Sequence, residues 1–358
     1  MDATQGWFES IDRLRRWQGS MLDQMGMGPD ESEYRVVLER PGVRLRRYAA
    51  TTTQAPVLLI VPAPFKGPYI WDIAPERSVV RRALQRGFAV YLMEWTAAQG
   101  EALDYGLDEY AGSLLRACIQ TASAQSHQRA VFLAGHSLGG TFAAMYAARQ
   151  PQHVAGLVLV EAPLCFAGTS GAFEVFRRFD NSAAAPAQRV PGSLYGMASA
   201  GAAARAFYVE RFADRWASLL SGRDLRTHWR VERWLLDELP LPRRLLEEVR
   251  QWIYREDRFI RGELQLAGMR LDPKTVAAPL LAIVDPRSEV VPAQSVLAAL
   301  PQLGSEDTRV LEYVGDRGVA VQHIGVLLGE RAHRVVWPVV FDWLVEQAAG
   351  QMPAARPH

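Results

Sequence analysis

Gly135-His136-Ser137-Leu138-Gly139 is the stretch of this 358-residue chain whose residue types and spacing point most directly to chemistry. The run Val131-Phe132-Leu133-Ala134 before it is apolar, and an Ala-rich helical pattern from Thr141 to Arg149 follows it. A serine at such a strand–turn–helix junction is lifted above the end of a sheet, and the N–H of the next residue opens a helix beneath it. Glycines on either side let the turn tighten and let the helix approach the strand. A hydroxyl held this way attacks acyl carbon once a base takes its proton. Ser137 is therefore the candidate nucleophile, with Leu138 as one donor to the oxyanion that such an attack creates.

Seven histidines could supply the base. His136 lies inside the turn, where its side chain is expected to point away from Ser137. His127, His153 and His228 sit in polar segments and read as surface residues, His333 falls on a helix between Arg331 and Arg334, and His358 is the last residue. His323 differs. It follows a strand pattern, Val310 to Val314, and a loop from Gly315 to Gln322, which is where the base is expected when the chain order is nucleophile, acid, base. Three carboxylates compete to orient its imidazole, since any that reaches the far ring nitrogen would serve. Asp285 ends the apolar strand Pro279 to Val284 and is the first expectation; Glu161 ends the strand Val154 to Val160; Glu289 lies four residues past Asp285. The second oxyanion donor is expected from the loop Pro62-Ala63-Pro64-Phe65-Lys66-Gly67-Pro68. Its prolines cannot donate, which leaves Ala63 or Phe65.

These residues need elements to hold them. Val57 to Val61 is a continuous apolar run suited to a strand buried on both faces. A helix over Ser78–Gln85, a strand over Ala89–Met93 and a helix over Leu107–Thr121 continue a β-α alternation, as in a doubly wound, mostly parallel sheet. Ahead of them, residues 1–30 read as an amphipathic helix carrying Trp7, Phe8, Ile11, Leu14, Trp17, Met21 and Leu22, followed by short strands near Tyr34–Glu39 and Val43–Tyr48. The alternation breaks after Pro163. Helical patterns over Ala172–Phe179, Ala202–Leu220, Trp229–Leu239 and Arg243–Arg255 form a block rich in Trp and Phe, and the low-complexity stretch Ser182–Ala187 reads as a loop. The expected fold class is α/β: an α/β-hydrolase fold with a helical cap insertion. Residues 1–50 hold the N-terminal helix and first strands, 51–165 and 256–350 the core, and 166–255 the cap. Most cap aromatics are expected to form the cap's own core, with some roofing the site.

Composition narrows the partners. A chain that is 49% hydrophobic with a net charge of +1 has material for a large core and little attraction for polyanions, so nucleic acid is not expected. Its two cysteines, Cys118 and Cys165, supply neither a disulfide framework nor metal-ligand spacing, and no cofactor is expected. The first residues show no basic segment leading into an apolar one, and no run approaches the ~20 residues of a membrane span. A cytoplasmic protein is expected.

Several further segments are similar to polyhydroxyalkanoate synthases, above all to the short catalytic subunits of two-component enzymes. They include Pro68-Tyr69-Ile70-Trp71-Asp72-Ile73, Glu76-Arg77-Ser78-Val79-Val80, Tyr91-Leu92-Met93-Glu94-Trp95, Arg261-Gly262-Glu263-Leu264 and Gln322-His323-Ile324-Gly325-Val326. The resemblance implies an α/β-hydrolase fold and polymerisation of hydroxyacyl-CoA through Cys, Asp and His. It places Ser137 where the family has its cysteine and His323 at the family histidine. Matching Val290-Val291-Pro292 puts Ser288 where the family has its aspartate. A thiolate both attacks and leaves readily, whereas an acyl-serine is a less activated donor whose natural fate is attack by water. The expected activity is therefore a serine esterase for polyhydroxyalkanoate or related hydroxyacyl esters, granule-associated if its substrate is the polymer. A synthase-type acyltransferase using hydroxyacyl-CoA is the first alternative, and a non-catalytic granule- or synthase-associated protein the second. A homodimer or a synthase-type partner subunit is what the resemblance implies for assembly.

Overall fold

A computed structural model describes residues 3–49, 55–168, 188–212, 225–316 and 319–351, with Arg177 and Trp216. Its centre is made by the apolar runs read above. Strands β1 (Tyr34–Arg40), β2 (Val43–Tyr48), β3 (Val57–Val61), β4 (Ala89–Trp95), β5 (Val131–His136), β6 (Val154–Val160), β7 (Leu280–Val284) and β8 (Thr308–Glu312) form one eight-stranded sheet in the order β1-β2-β4-β3-β5-β6-β7-β8. Only β2 runs against its neighbours; the other contacts are parallel. Residues 34–48 thus extend the core sheet instead of standing with the N-terminal helix, because β2 pairs with β4 from Val43–Trp95 to Arg47–Tyr91.

Every residue of β3, β5, β6 and β7 is buried, and alternation sends their side chains to two separate cores. On one face Leu59, Leu133, Leu157 and Ala282 meet helices α3 (Leu114–Ser126) and α4 (Leu138–Arg149). On the other, Ile60, Phe132, Val158 and Ile283 meet α2 (Val79–Gln85) and two C-terminal helices, Gln322–Leu328 and Trp337–Gln351. Ser78 caps α2, accepting from Arg81 N at 2.8 Å. The helical pattern expected from Leu107 is present, but it runs through a π-helical turn over Glu109–Ser113 where Tyr110 stacks on Trp95 at 4.9 Å. No described helix is long and apolar enough to cross a membrane.

Between β6 and β7 the described chain is mainly helical: α5 (Gly192–Ala202), α6 (Leu225–Leu235) and α7 (Arg243–Glu248), with π-helical stretches Arg205–Glu210 and Val249–Arg255. The expected helix Ala172–Phe179, the loop Ser182–Ala187 and most of 213–224 lie outside the described residues. Two expectations are corrected here. Tyr208, Phe212 and Trp216 are 63%, 63% and 52% exposed and do not form a core of the insertion. His228, expected at the surface, is fully buried, because it shares the inner face of α6 with Val231 and Leu235 at helical spacing.

The N-terminal helix α1 (Ala3–Gln24) also turns an unexpected face inward. Trp7, Leu14 and Trp17 are exposed. Its docking face is instead partly polar: Asp12 Oδ1 accepts from Ser193 N at 2.9 Å, and Arg15 Nη2 donates to Leu235 O at 2.7 Å. Phe8, Ile11 and Leu22 are half-buried on the same side, so a short apolar stripe and polar ties to α5 and α6 together hold the helix.

Candidate active site

The turn after β5 forces Ser137 into φ 53°, ψ −132°, a region that an L-residue adopts only where its surroundings hold it. Its N–H donates to Val160 O at 3.0 Å, and its carbonyl accepts from Gly140 N at 3.0 Å and Thr141 N at 3.2 Å. The flanking glycines are demanded by space. A Cβ on Gly139 would strike the carbonyl oxygens of Val61 and Pro62, and one on Gly135 would strike the backbone of Gly140. Leu138 lies in the first turn of α4, where backbone N–H groups have no intrahelical acceptor. Ser137, Leu138, Ala63 and Phe65 all line one cavity of about 330 Å³. Phe65 O accepts from Leu239 N at 3.0 Å, which ties the 62–68 loop to the helical insertion.

His323 lines the same cavity. It stands in the first turn of helix α8 (Gln322–Leu328), not on a free loop, with extended Val321 at the helix start. Its Nδ1 lies 2.9 Å from Glu161 Oε2. Both side chains are buried, at 9% and 1% exposure for the two residues. Glu161 leaves the end of β6 in a left-handed conformation, φ 43°, with its N–H on Ile283 O at 2.8 Å.

The expected contact between Asp285 and His323 is not made. Asp285 Oδ1 accepts from Arg287 N at 2.8 Å and sits 3.6 Å from Arg287 Nε, so the carboxylate closes its own turn after β7. Glu289 is engaged elsewhere, 3.5 Å from Arg205 Nη1 on the insertion. The third position of interest, Ser288, accepts from Val291 N at 3.2 Å. Burial and the nearby Asp285 charge push the Glu161 carboxyl well above its usual range. Burial pulls the His323 imidazole down to about 4, with Asp285 opposing.

Sequence reasoning also missed His136. Its ring lies against that of His323, centroids 4.4 Å apart and planes 32° from parallel, and its Nε2 donates to His323 O at 3.0 Å. A carbonyl only accepts, so the proton is on Nε2. Burial, together with the neighbouring His323, holds His136 well below its ordinary pKa. The rest of the cavity wall is largely apolar, with Ile70, Trp71, Phe207, Val290, Val291 and Ile324 among its lining.

A sheet of this order with a positive-φ serine between β5 and α4 has the α/β-hydrolase fold, and residues 56–227 match the family model described as alpha/beta hydrolase fold. The monoacylglycerol lipase of Paleococcus ferrophilus superposes with a TM-score of 0.56 over 85% of this chain and 99% of that one; at 15% identity it shares the fold alone. Within that fold the chain is polyhydroxyalkanoate synthase-like. It is 30% identical over 335 residues to the poly(3-hydroxyalkanoate) polymerase subunit PhaC of Haloferax mediterranei, covering 91% of this chain and 66% of that one. It is 25% identical over 354 residues to the subunit of the same name from Allochromatium vinosum, covering 96% and 97%. The chain thus spans slightly less than two thirds of the Haloferax protein and nearly all of the Allochromatium one.

Proposed function

We propose that this chain is an acyl-serine enzyme acting on hydroxyacyl esters, in which Ser137 attacks, His323 moves the proton and Glu161 orients His323. The supporting observation is that the strained serine and His323 line one cavity, with Glu161 2.9 Å from Nδ1 of that histidine. In the first half-reaction, Ser137 Oγ bonds to the ester carbonyl carbon and its proton passes to His323 Nε2. The carbonyl oxygen becomes an oxyanion facing the N–H of Leu138 and that of Ala63 or Phe65, each donor worth about 3 kcal/mol. Collapse breaks the bond to the alcohol, which leaves with the proton from His323. Water then gives a proton to His323 and bonds to the acyl carbon; the bond to Ser137 Oγ breaks, His323 returns the proton to Oγ, and the acid leaves. The helices of 166–255 act as a cap, with Phe207 and Trp234 in the roof.

Water is the favoured acceptor because an oxygen ester lacks the activation of a thioester. A second reading has an observation of its own. The relatives named above are polymerase subunits, a direct line of support that hydrolysis lacks, and it favours transfer to the hydroxyl of a growing chain. Offering p-nitrophenyl butyrate and 3-hydroxybutyryl-CoA to one preparation separates the two. Nitrophenol release without polymer is the expected result; polymer from the CoA thioester would establish the second reading in its place.

The base also carries a pH signature. His323 works as a neutral imidazole, and burial keeps it neutral down to about pH 4. Activity should therefore be retained from neutral pH downward and be lost as pH falls through about 4 to 5. The profile of kcat/KM measured against pH checks this, and an acid limb centred near 6.5 would mean that the imidazole is not held in a desolvating environment.

A further inference from the structure

Glu161 meets the His323 ring at one atom, Nδ1. A working base needs its ring held to within about 10–20° by packing and hydrogen bonds. A ring pinned at a single atom can still swing about that bond, and Nε2, the atom that must serve Ser137, would move with it. A second constraint comes from β5. His136 Nε2 donates to the backbone carbonyl of His323 at 3.0 Å, and the two imidazoles stack with centroids 4.4 Å apart and planes 32° from parallel. One residue thus meets His323 at both its main chain and its ring. His136 is backed in turn by Trp71, fully buried, whose ring meets it almost at right angles with centroids 6.5 Å apart. Trp71 packs on Trp337 at 6.0 Å, and Trp337 Nε1 donates to Val326 O at 2.8 Å. Val326 lies on α8, the helix that carries His323, so this series of contacts closes on itself.

We infer that His136 is a positioning residue: it fixes the rotation of the His323 ring and ties the base to the nucleophile through a single peptide unit. His136 and Ser137 are consecutive, so a shift of α8 that draws His323 away also pulls on the turn that presents the serine hydroxyl. The turn itself does not call for a histidine. Its demands are the positive φ at Ser137 and the lack of room for a Cβ at Gly135 and Gly139. The histidine is explained by what it touches. Its Nε2 proton is engaged by the His323 carbonyl, and burial keeps the ring uncharged. No second cation therefore stands beside the imidazolium that forms when His323 takes the proton of Ser137. The inference rests on the proposed function for the role of His323 and adds the group that aims it.

Nitrogen NMR of labelled histidines in the full chain reads this without turnover, with His323→Asn identifying the signal. The parent His323 should titrate at about 4. His136→Ala should admit water to the ring and raise that value by about one pH unit or more, because a less desolvated imidazolium forms more easily. The other titratable groups packed around the base are Glu161 at the end of β6, Asp285 after β7, and Tyr313 with Asp316 beside Gly325 of α8. All of them are unchanged in these variants. On p-nitrophenyl butyrate, kcat should fall about ten- to a hundredfold with KM within about twofold, as a misaimed base requires. His136→Phe keeps a ring and His136→Gln keeps a donor near the place of Nε2. Each should recover part of the loss, and both remain readable if the alanine variant fails to fold. Parental kcat with an unmoved His323 titration in these variants would overturn the inference. So would a loss that appears in KM with the titration unmoved, which would make His136 a piece of cavity wall. A protein whose His323 titration moves as stated yet which hydrolyses no ester keeps the role of His136 and refutes the proposed activity. Ester turnover indifferent to position 136 does the reverse.

Discussion

Glu161→Gln should lower ester turnover by about 10⁴-fold, the loss that follows when a triad's carboxylate is replaced by its amide. The protein should remain folded. An amide of nearly the same shape fills the buried position that Glu161 occupies, so packing there is kept. What it removes is the acceptor opposite His323 Nδ1, 2.9 Å away, and with it the stabilised imidazolium and the ring's working tautomer. Asp285→Asn is the matched control. That carboxylate closes its own turn on Arg287 N and acts on His323 only through its charge, so a loss of about tenfold or less is expected. Turnover measured beside a thermal melt for both variants decides the matter. A collapse with Asp285→Asn and a near-parental Glu161→Gln would place the acid at the end of β7.

Ser137→Ala should be more damaging, about 10⁶-fold in kcat, because the hydroxyl that forms the acyl-enzyme is removed. The parent should take up one fluorophosphonate label, mapped to the peptide around Gly135–Gly139, and the alanine variant none. A folded parent that resists the label at every pH would refute the acyl-serine reading. Ser137→Cys, which installs the nucleophile implied by the resemblance to synthases, should still lose esterase turnover. The alkoxide-forming geometry between His323 and a serine is not that of the longer, more acidic thiol.

What could be read in the sequence, and what could not, follows from how local each determinant is. Val57–Val61 and Val154–Val160 are legible as buried strands because their apolar runs are continuous, and both have the expected limits in the structure. Ser137 was legible because its turn is encoded by adjacent glycines. His323 was found through chain order, although it opens a helix instead of ending a loop. Which carboxylate meets His323 Nδ1 was not legible. Glu161 and Asp285 both end strands of the same rim, and their difference lies in a left-handed φ at Glu161 and in a turn that claims the Asp285 carboxylate. Neither is a property of composition or spacing. In α1 the apolar residues spread over more than one face: Phe8, Ile11 and Leu22 dock beside Asp12 and Arg15, which bond to distant backbone, while Trp7, Leu14 and Trp17 stay exposed. The contact of His136 with His323 was not legible because it joins residues 187 positions apart.

The neighbouring tips of β6 and β7 have a consequence for descent. Val160 pairs with Ile283, so Glu161 and the residues following Val284 face the same imidazole from adjacent strands. A lineage could gain a carboxylate on one tip before losing it from the other, and every intermediate would retain an acid within reach of the base. Ser288, three residues past Asp285, fits the end of such a path: the older position reduced from acid to hydroxyl. The path should also run backward at the bench, with Ser288→Asp restoring much of the turnover that Glu161→Gln removes. Acid placement in this fold would then be a drifting character, and a carboxylate missing from its customary column of an alignment would be poor grounds for declaring a protein inactive.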